Sequence, residues 1–259
     1  MQTKIKSSDS SVGSEGGMVV ERRFTSAGQD PFDSFEWIEM DVQIRNPDGS
    51  MADSLEGVKL PSGFSGVPGT VCAQKYLRKA GVPKYLRTVP EDNVPIWLQR
   101  SEPDHERLQT VDAAERMGGE IDGRQLFRRL AGTWTYWGWK YGYFASEADA
   151  RAYFDEMCYL IASQRSAPNS PQWFNTGLHW AYGIEGPAQG HSFVDPDTGE
   201  LGKSTNAYEH PQPHACFIQS VSDSLVGGTD SIMGLWNREA LLFKYGSGTG
   251  SNFSNIRGR

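Results

Sequence analysis

The sequence predicts a mixed chain of helices and strands, α+β over this length. Three observations carry that reading. Phe35–Ile44 alternates apolar and polar residues with a period of two, as a half-exposed strand does. Two capped stretches, opening at Asp122 and Ser146, repeat their apolar residues at helical spacing. Near the end, a short apolar run at Cys216–Ile218 precedes a third helical stripe and a Gly-rich segment.

Taken in order, residues 1–17 are polar and rich in Ser and Gly, and are expected to form a disordered tail. They lack the apolar stretch of a secretory signal. Residues 18–121 read as an N-terminal region of mixed strand and helix, with short alternating runs from Met18 to about Gly69. The strand at 35–44 gives way to a turn at Asn46–Gly49. Thr70–Ala80 reads as a helix carrying Cys72, Tyr76 and Leu77, stopped by Gly81 and Pro83. Residues 101–122 are acidic and polar with few apolar anchors, and read as a surface connection.

Residues 122–165 form a helical region. Asp122 caps a stretch holding Leu126, Phe127 and Leu130, which leads into an aromatic run from Trp134 to Phe144. Ser146–Asp149 is a capping box, opening a helix with Ala150, Tyr153, Phe154, Met157, Leu160 and Ile161 on one face, and Ala167–Asn169 stops it. Within 166–259, Cys216–Phe217–Ile218 reads as a short buried strand. A helix over Asp230–Tyr245 carries Ile232, Leu235, Trp236, Ala240 and Phe243, with Gly246 in position to end it.

The chain holds 25 basic and 32 acidic residues, a net charge of −7, which counts against direct nucleic-acid binding through a basic surface. No stretch approaches 18 apolar residues, so no membrane span is expected. Three scattered cysteines without a C-x-x-C suit a reducing compartment, and a cytoplasmic location is expected.

Each candidate motif also has a plain structural reading. The segment Gly246–Asn252 lacks the Lys of a phosphate loop and follows a helix rather than a strand, so neither nucleotide motif applies. A backbone that approaches a ligand closely and an ordinary loop both remain open. The run 134–144 holds three Trp, three Tyr and one Phe. Such rings stack on bases or sugars, but helix core is the simpler reading. His210, His214 and Cys216 have a metal-like spacing, yet Pro211 and Pro213 break the helix that would align them, and no metal ligand is assigned. No G-x-S-x-G is present to support hydrolase chemistry. Cys216 by itself defaults to a buried structural thiol.

Longer strings carry more. Ala167–Leu178, His210–Ile218, Leu235–Ala240 and Phe243–Ser254 together resemble the class II, adenosylcobalamin-dependent ribonucleotide reductases, as do Gln74–Pro83 and the 131–144 run. The resemblance spans Glu21 to the last residue. It implies an α/β fold: a mostly helical N-terminal region, then from about residue 166 the first strands and helices of a ten-stranded α/β barrel. Cys216 matches half of the dithiol oxidised at each turnover. Ser170, Ala215, Cys216 and Gly248 match contacts to the phosphates and ribose of a ribonucleotide substrate. Asp223, Ser224, Leu225 and Arg257 match a site for a deoxynucleotide triphosphate effector at a homodimer interface. A thioredoxin-like or other dithiol reductant is the implied electron donor. The family's radical cysteine and second redox cysteine come later in its chains, and no cysteine follows Cys216 here. The expectation is therefore an N-terminal portion, inactive alone, with adenosylcobalamin bound mainly by the missing part or by a separate C-terminal chain. The alternative is a non-catalytic nucleotide- or sugar-binding module built on residues 134–144.

Overall fold

The structure is a computed structural model that describes residues 16–45, 47–188, 190–244 and 247–258. The tail expected at 1–17 falls almost wholly outside these residues, as do Tyr245 and Gly246.

Strands β1 (Trp37–Arg45) and β2 (Met51–Pro61) form an antiparallel ribbon, as the alternation predicts for the first of them. The register slips between Met40 and Val42, where Gly57 in the partner strand adopts φ +66° and donates to Asp41 Oδ1 at 2.9 Å. The inner face carries Val42, Val58 and Leu60, all buried.

The helix expected at 70–80 is displaced and shortened. Helix α1 (Val67–Val71) passes into one wide turn at Cys72–Tyr76, and the chain is extended from Leu77. The extension is imposed by tertiary pairing: Arg78 exchanges backbone contacts with Glu120, its N–H donating to Glu120 Oε2 at 2.8 Å while Glu120 N–H donates to its carbonyl. Nor is 101–122 a simple surface connection. The short strands β3 (Val82–Pro83) and β4 (Leu86–Thr88) pair antiparallel with β6 (Met117–Gly118) and β5 (Ser101–Pro103) respectively. A single helical turn, α2 (His105–Leu108), lies between them and buries Leu108.

Helices α3 (Gly123–Lys140) and α4 (Glu147–Ala162) start where their caps place them. Asp122 accepts from Arg124 N while Gln125 reaches back to Asp122 N, and Ser146 accepts from Asp149 N. They close one core over β1–β2: Leu126, Phe127, Leu130 and Ala131 meet Phe154, Cys158, Ile161 and Ala162, with Phe32, Phe64 and Leu77 at the edges. The aromatic run is not core as a block. Helix α3 buries its small residues, and at Gly132 an added Cβ would lie 2.2 Å from the Trp180 ring. Of the rings, Phe144 is buried, Trp134, Tyr136, Trp137 and Trp139 are half-buried, and Tyr141 and Tyr143 are exposed.

A strap from Met18 to Thr25 lies along α4. Val20 N donates to Asp149, and the N–H groups of Arg23, Phe24 and Thr25 together with the Thr25 hydroxyl converge on Glu156. Arg22 pairs with the buried Asp155 at 2.8 Å.

After α4, two short helices follow, α5 (Ser170–Asn175) and α6 (Leu178–Tyr182), then a hairpin of β7 (Ser192–Val194) and β8 (Leu201–Lys203). The chain ends in a strand–helix–strand unit: β9 (Cys216–Ser220), α7 (Ile232–Lys244) and β10 (Gly248–Asn252), with β10 parallel to β9 and Gly248 opposite Cys216. Two expectations are corrected here. The Gly-rich segment is a strand over 248–252 rather than a loop, because β9 supplies hydrogen-bonding partners. The Cys216–Ile218 strand is not buried, since Cys216 is exposed and Ile218 is 82% exposed.

Candidate functional site

The β9–β10 ribbon has two unlike faces. On one, Gln219 donates to Thr249 Oγ1 at 2.7 Å and accepts from Arg238 Nε at 2.7 Å, while Ser251 donates to Glu239. Arg238 also reaches the Ser220 carbonyl. These bonds seat α7 on that face and hold the two strands in register. The other face carries Cys216 and Ile218 beside Gly248 and Gly250. A Cβ at Gly248 would stand 3.1 Å from Cys216 Sγ, and one at Gly250 would stand 3.0 Å from Ile218 Cδ1. Glycine at both positions leaves a low, open floor around the thiol. Gly248 N–H donates to the Ala215 carbonyl at 2.6 Å, and Gln212 braces the start of the ribbon through the Ser247 hydroxyl at 2.8 Å.

Cys216 is chemically distinct from the other two cysteines. Burial pushes the Cys72 thiol up to about 12, and burial likewise raises Cys158 well above its ordinary value. Both sit in the core, whereas Cys216 is exposed. Thiol exchange needs an accessible thiolate, so Cys216 is the group in this chain equipped for it.

Among the sequence-predicted site residues, Ala215, Cys216 and Gly248 are adjacent. Asp223 and Arg257 also meet, Arg257 Nε lying 2.5 Å from Asp223 Oδ2. Ser224 and Leu225 stand beside the start of α7, their carbonyls accepting from Ile232 and Met233. Ser170 is exposed at the head of α5, and among the described residues no hydrogen bond joins it to the ribbon.

Sequence reasoning missed a buried ion pair. Arg129 Nε donates to Glu120 Oε1 at 2.7 Å, both side chains being 0% exposed. Tyr182 donates its hydroxyl to the same carboxylate at 2.8 Å, and burial followed by the Glu120 charge drives the phenol well above its ordinary value. A signal was present: Arg129 falls between Phe127 and Leu130 on an otherwise apolar stripe, a place where an unpaired charge is not tolerated. Sequence reasoning also missed a cleft of about 1400 Å³ between the aromatic side of α3 and the chain from His191 to His214, reaching Phe217 on β9. Inside it, Tyr136 donates to Glu91 at 2.6 Å, and His210 stacks on Phe193 at 3.7 Å.

Comparison with known proteins agrees with this layout. Residues 39–164 match the N-terminal family model described as class II vitamin B12-dependent ribonucleotide reductase, and residues 214–259 match the ribonucleotide reductase barrel domain. A vitamin B12-dependent ribonucleotide reductase of Agrobacterium fabrum is 60% identical over 93% of this chain and 19% of its own length. That of Bradyrhizobium diazoefficiens is 58% identical over the same shares. A more distant one from Rhodopirellula baltica is 31% identical over 95% of this chain and 20% of its own. The chain thus spans about a fifth of the length of the curated relatives it matches. The barrel match begins at His214, so it takes in the whole β9–α7–β10 unit and its exposed thiol, and the N-terminal match takes in the ribbon and both long helices that form the core. The chain belongs to the class II, vitamin B12-dependent family of ribonucleotide reductases.

Proposed function

We propose that this chain is the N-terminal part of an enzyme that reduces ribonucleoside di- or triphosphates to deoxyribonucleotides by thiyl-radical chemistry, and that it is inactive alone. The observation that carries the reading is the exposed Cys216 on its glycine-bordered strand, inside the segment that matches the barrel domain. Residues from 166 onward are read as the opening of a ten-stranded α/β barrel, with β9 and β10 its first parallel pair. The preceding 18–121 and 122–165 form the N-terminal region.

In this reading Cys216 gives up its thiol proton and one electron of a pair. A second cysteine beyond this chain does the same; one proton leaves with the ribose 2′-hydroxyl as water, the other proton and both electrons form the new C2′–H bond, and a disulfide is left. A thioredoxin-like or other dithiol then reduces the disulfide and is itself oxidised. Ser170, Ala215 and Gly248 contact the substrate's phosphates and ribose. Asp223, Ser224, Leu225 and Arg257 hold a deoxynucleotide triphosphate where α7 meets its twin in a homodimer, the Arg257 guanidinium facing phosphate oxygens.

The family depends on vitamin B12, and adenosylcobalamin supplies the starting radical when bound. Among the described residues no cluster of His, Cys, Asp or Glu gathers to hold a metal ion, His191 is tied to the His210 carbonyl, and the His210 ring is stacked on Phe193, which does not fit a corrin's cobalt. Its binding is therefore assigned to residues beyond this chain. Among the described residues no helix is long and apolar enough to cross a membrane, and the reading places the enzyme in the cytoplasm.

The test combines the chain with the C-terminal remainder of its 60%-identical relative, adenosylcobalamin and a dithiol, and measures deoxynucleotide formation. Wild type is expected to turn over repeatedly and Cys216→Ser to stop with dithiol as reductant. Gly248→Val should raise KM or eliminate substrate binding. Sustained turnover by Cys216→Ser would remove the redox assignment.

A further inference from the structure

A fully buried salt bridge is weak evidence of stability, because both charges must leave water to form it. The Arg129–Glu120 pair differs in where its remaining donors go. Arg129 Nη1 donates to the Thr176 carbonyl at 2.6 Å, and Nη2 donates to the carbonyls of Trp173 at 2.9 Å and Tyr76 at 3.0 Å. Trp173 and Thr176 are the C-terminal carbonyl positions of α5, the six-residue helix headed by Ser170. A helix that short does not persist in water by its own hydrogen bonds. Its last carbonyls need partners, and a cation is the favourable one.

The surroundings leave α5 one place to sit. Glu120 holds the guanidinium through two of its nitrogens, and is itself held by the Tyr182 hydroxyl and the Arg78 N–H. Gly177, just past α5, has φ +86°, and a Cβ there would lie 2.4 Å from the Arg129 carbonyl. The Trp173 ring stacks on Tyr76 at 5.0 Å, and Gln172 accepts from the Trp134 indole at 2.9 Å.

We infer that Arg129 is a positioning residue: its guanidinium fixes the orientation of α5 and so carries Ser170 to the substrate site, with Glu120 and Tyr182 fixing the guanidinium. The inference rests on the reading of Ser170 as a substrate contact.

The test is a double-mutant cycle in the reconstituted reductase. Ser170→Ala and Arg129→Lys, which keeps the charge and loses the fork, are each expected to raise KM about tenfold with kcat within about twofold. The double variant should raise KM no further than the larger single change, because both act through one contact. Tyr182→Phe removes a single hydroxyl from the Glu120 carboxylate and should raise KM less, with no further rise in the Ser170→Ala background. If circular dichroism shows Arg129→Lys unfolded, the Tyr182→Phe cycle decides. Effects that multiply instead of overlapping, or a loss of kcat at unchanged KM, would overturn the positioning role and leave the substrate role of Ser170 intact. An unchanged KM in Ser170→Ala would overturn both, while the Cys216→Ser assay still judges the redox reading.

Discussion

Strands β2 and β9 each present apolar side chains on one face, and those residues end in opposite places. Val58 and Leu60 of β2 are 0% exposed, whereas Ile218 of β9 is 82% exposed. The difference lies in the cover. Helix α3 lies against β2 with Leu126, Phe127 and Leu130. On β9, α7 covers only the Gln219 face, and among the described residues no element covers the Cys216–Ile218 face. Helix α7 shows the same asymmetry: Leu235 is buried, while Trp236, Leu241 and Phe243 are exposed. The lesson is that apolar side chains on one face of a strand require cover without stating what supplies it. The N-terminal region finds its cover within this chain, and the barrel-matched segment has apolar surface prepared for more.

That contrast can be broken most forcefully at the buried ion pair. Arg129→Met leaves Glu120 charged and unpaired in the core, and should lower stability by about 3–5 kcal/mol in a denaturant titration. A loss under about 1 kcal/mol would mean the carboxylate is readily neutralised or hydrated. Leu130→Ala should remove about 2–5 kcal/mol from the same region. Ile218→Ala in the isolated chain should fall within about 0.5 kcal/mol of wild type. Equal losses at the two positions would show that the β9 face is covered in solution.

Thiol counting sharpens the comparison without a mutation. A bulky aromatic disulfide reagent should label Cys216 alone in the native chain, and all three cysteines in denaturant. Rapid native labelling of Cys72 or Cys158 would mean that the N-terminal core opens more freely than its packing indicates. For α7, Trp236→Glu should change monomer stability by less than about 0.5 kcal/mol yet weaken self-association of the reconstituted enzyme. Sedimentation velocity with and without a deoxynucleotide triphosphate reads this, and a monomer under all conditions would remove the interface.

The smallest effect concerns the strap. Burial works against ionisation of Glu156, but the Thr25 hydroxyl and the N–H groups of Phe24, Thr25 and Arg23 outweigh it and hold the carboxyl below its ordinary 4.5. The Ser146 hydroxyl and Val20 N–H likewise lower Asp149. A depressed carboxyl stabilises fully above its unfolded value, and that contribution disappears as pH falls through the lower folded value. Relative to the rate of an unprotected amide at the same pH, exchange over residues 18–25 should therefore quicken below pH 4.5, before the β1–β2 ribbon responds. Simultaneous quickening of both would show that the strap is not an independent unit.

Much of the N-terminal region was legible because its signals are local. Asp122 and Ser146 place the starts of α3 and α4 through hydrogen bonds to residues two and three positions on. The strand at 35–44 differs from β1 by a residue or two at its ends. What was not legible depends on distant partners. Glu120 looks like one more surface acid until Arg129, Tyr182 and Arg78 surround it. Residues 248–252 have poor strand propensity, and are extended because β9 lies alongside. The turn at Cys72–Tyr76 ends early because Arg78 has Glu120 to pair with. At the site, Cys216, Gly248, Asp223 and Arg257 were reached through long matching strings, and nothing local in the Cys216 run indicated that its thiol would face outward.

The strap has a consequence for biosynthesis. Val20 is held by a residue 129 positions further on, and Thr25 by one 131 positions on. A ribosome adding roughly 5–20 residues per second needs roughly 6–26 s to supply those partners. Throughout that interval the backbone N–H groups of residues 20–25 have only water to bond, while the β1–β2 hairpin can already form behind them. The strap is thus made before the hairpin and secured after it, and it becomes a clasp that registers the arrival of α4.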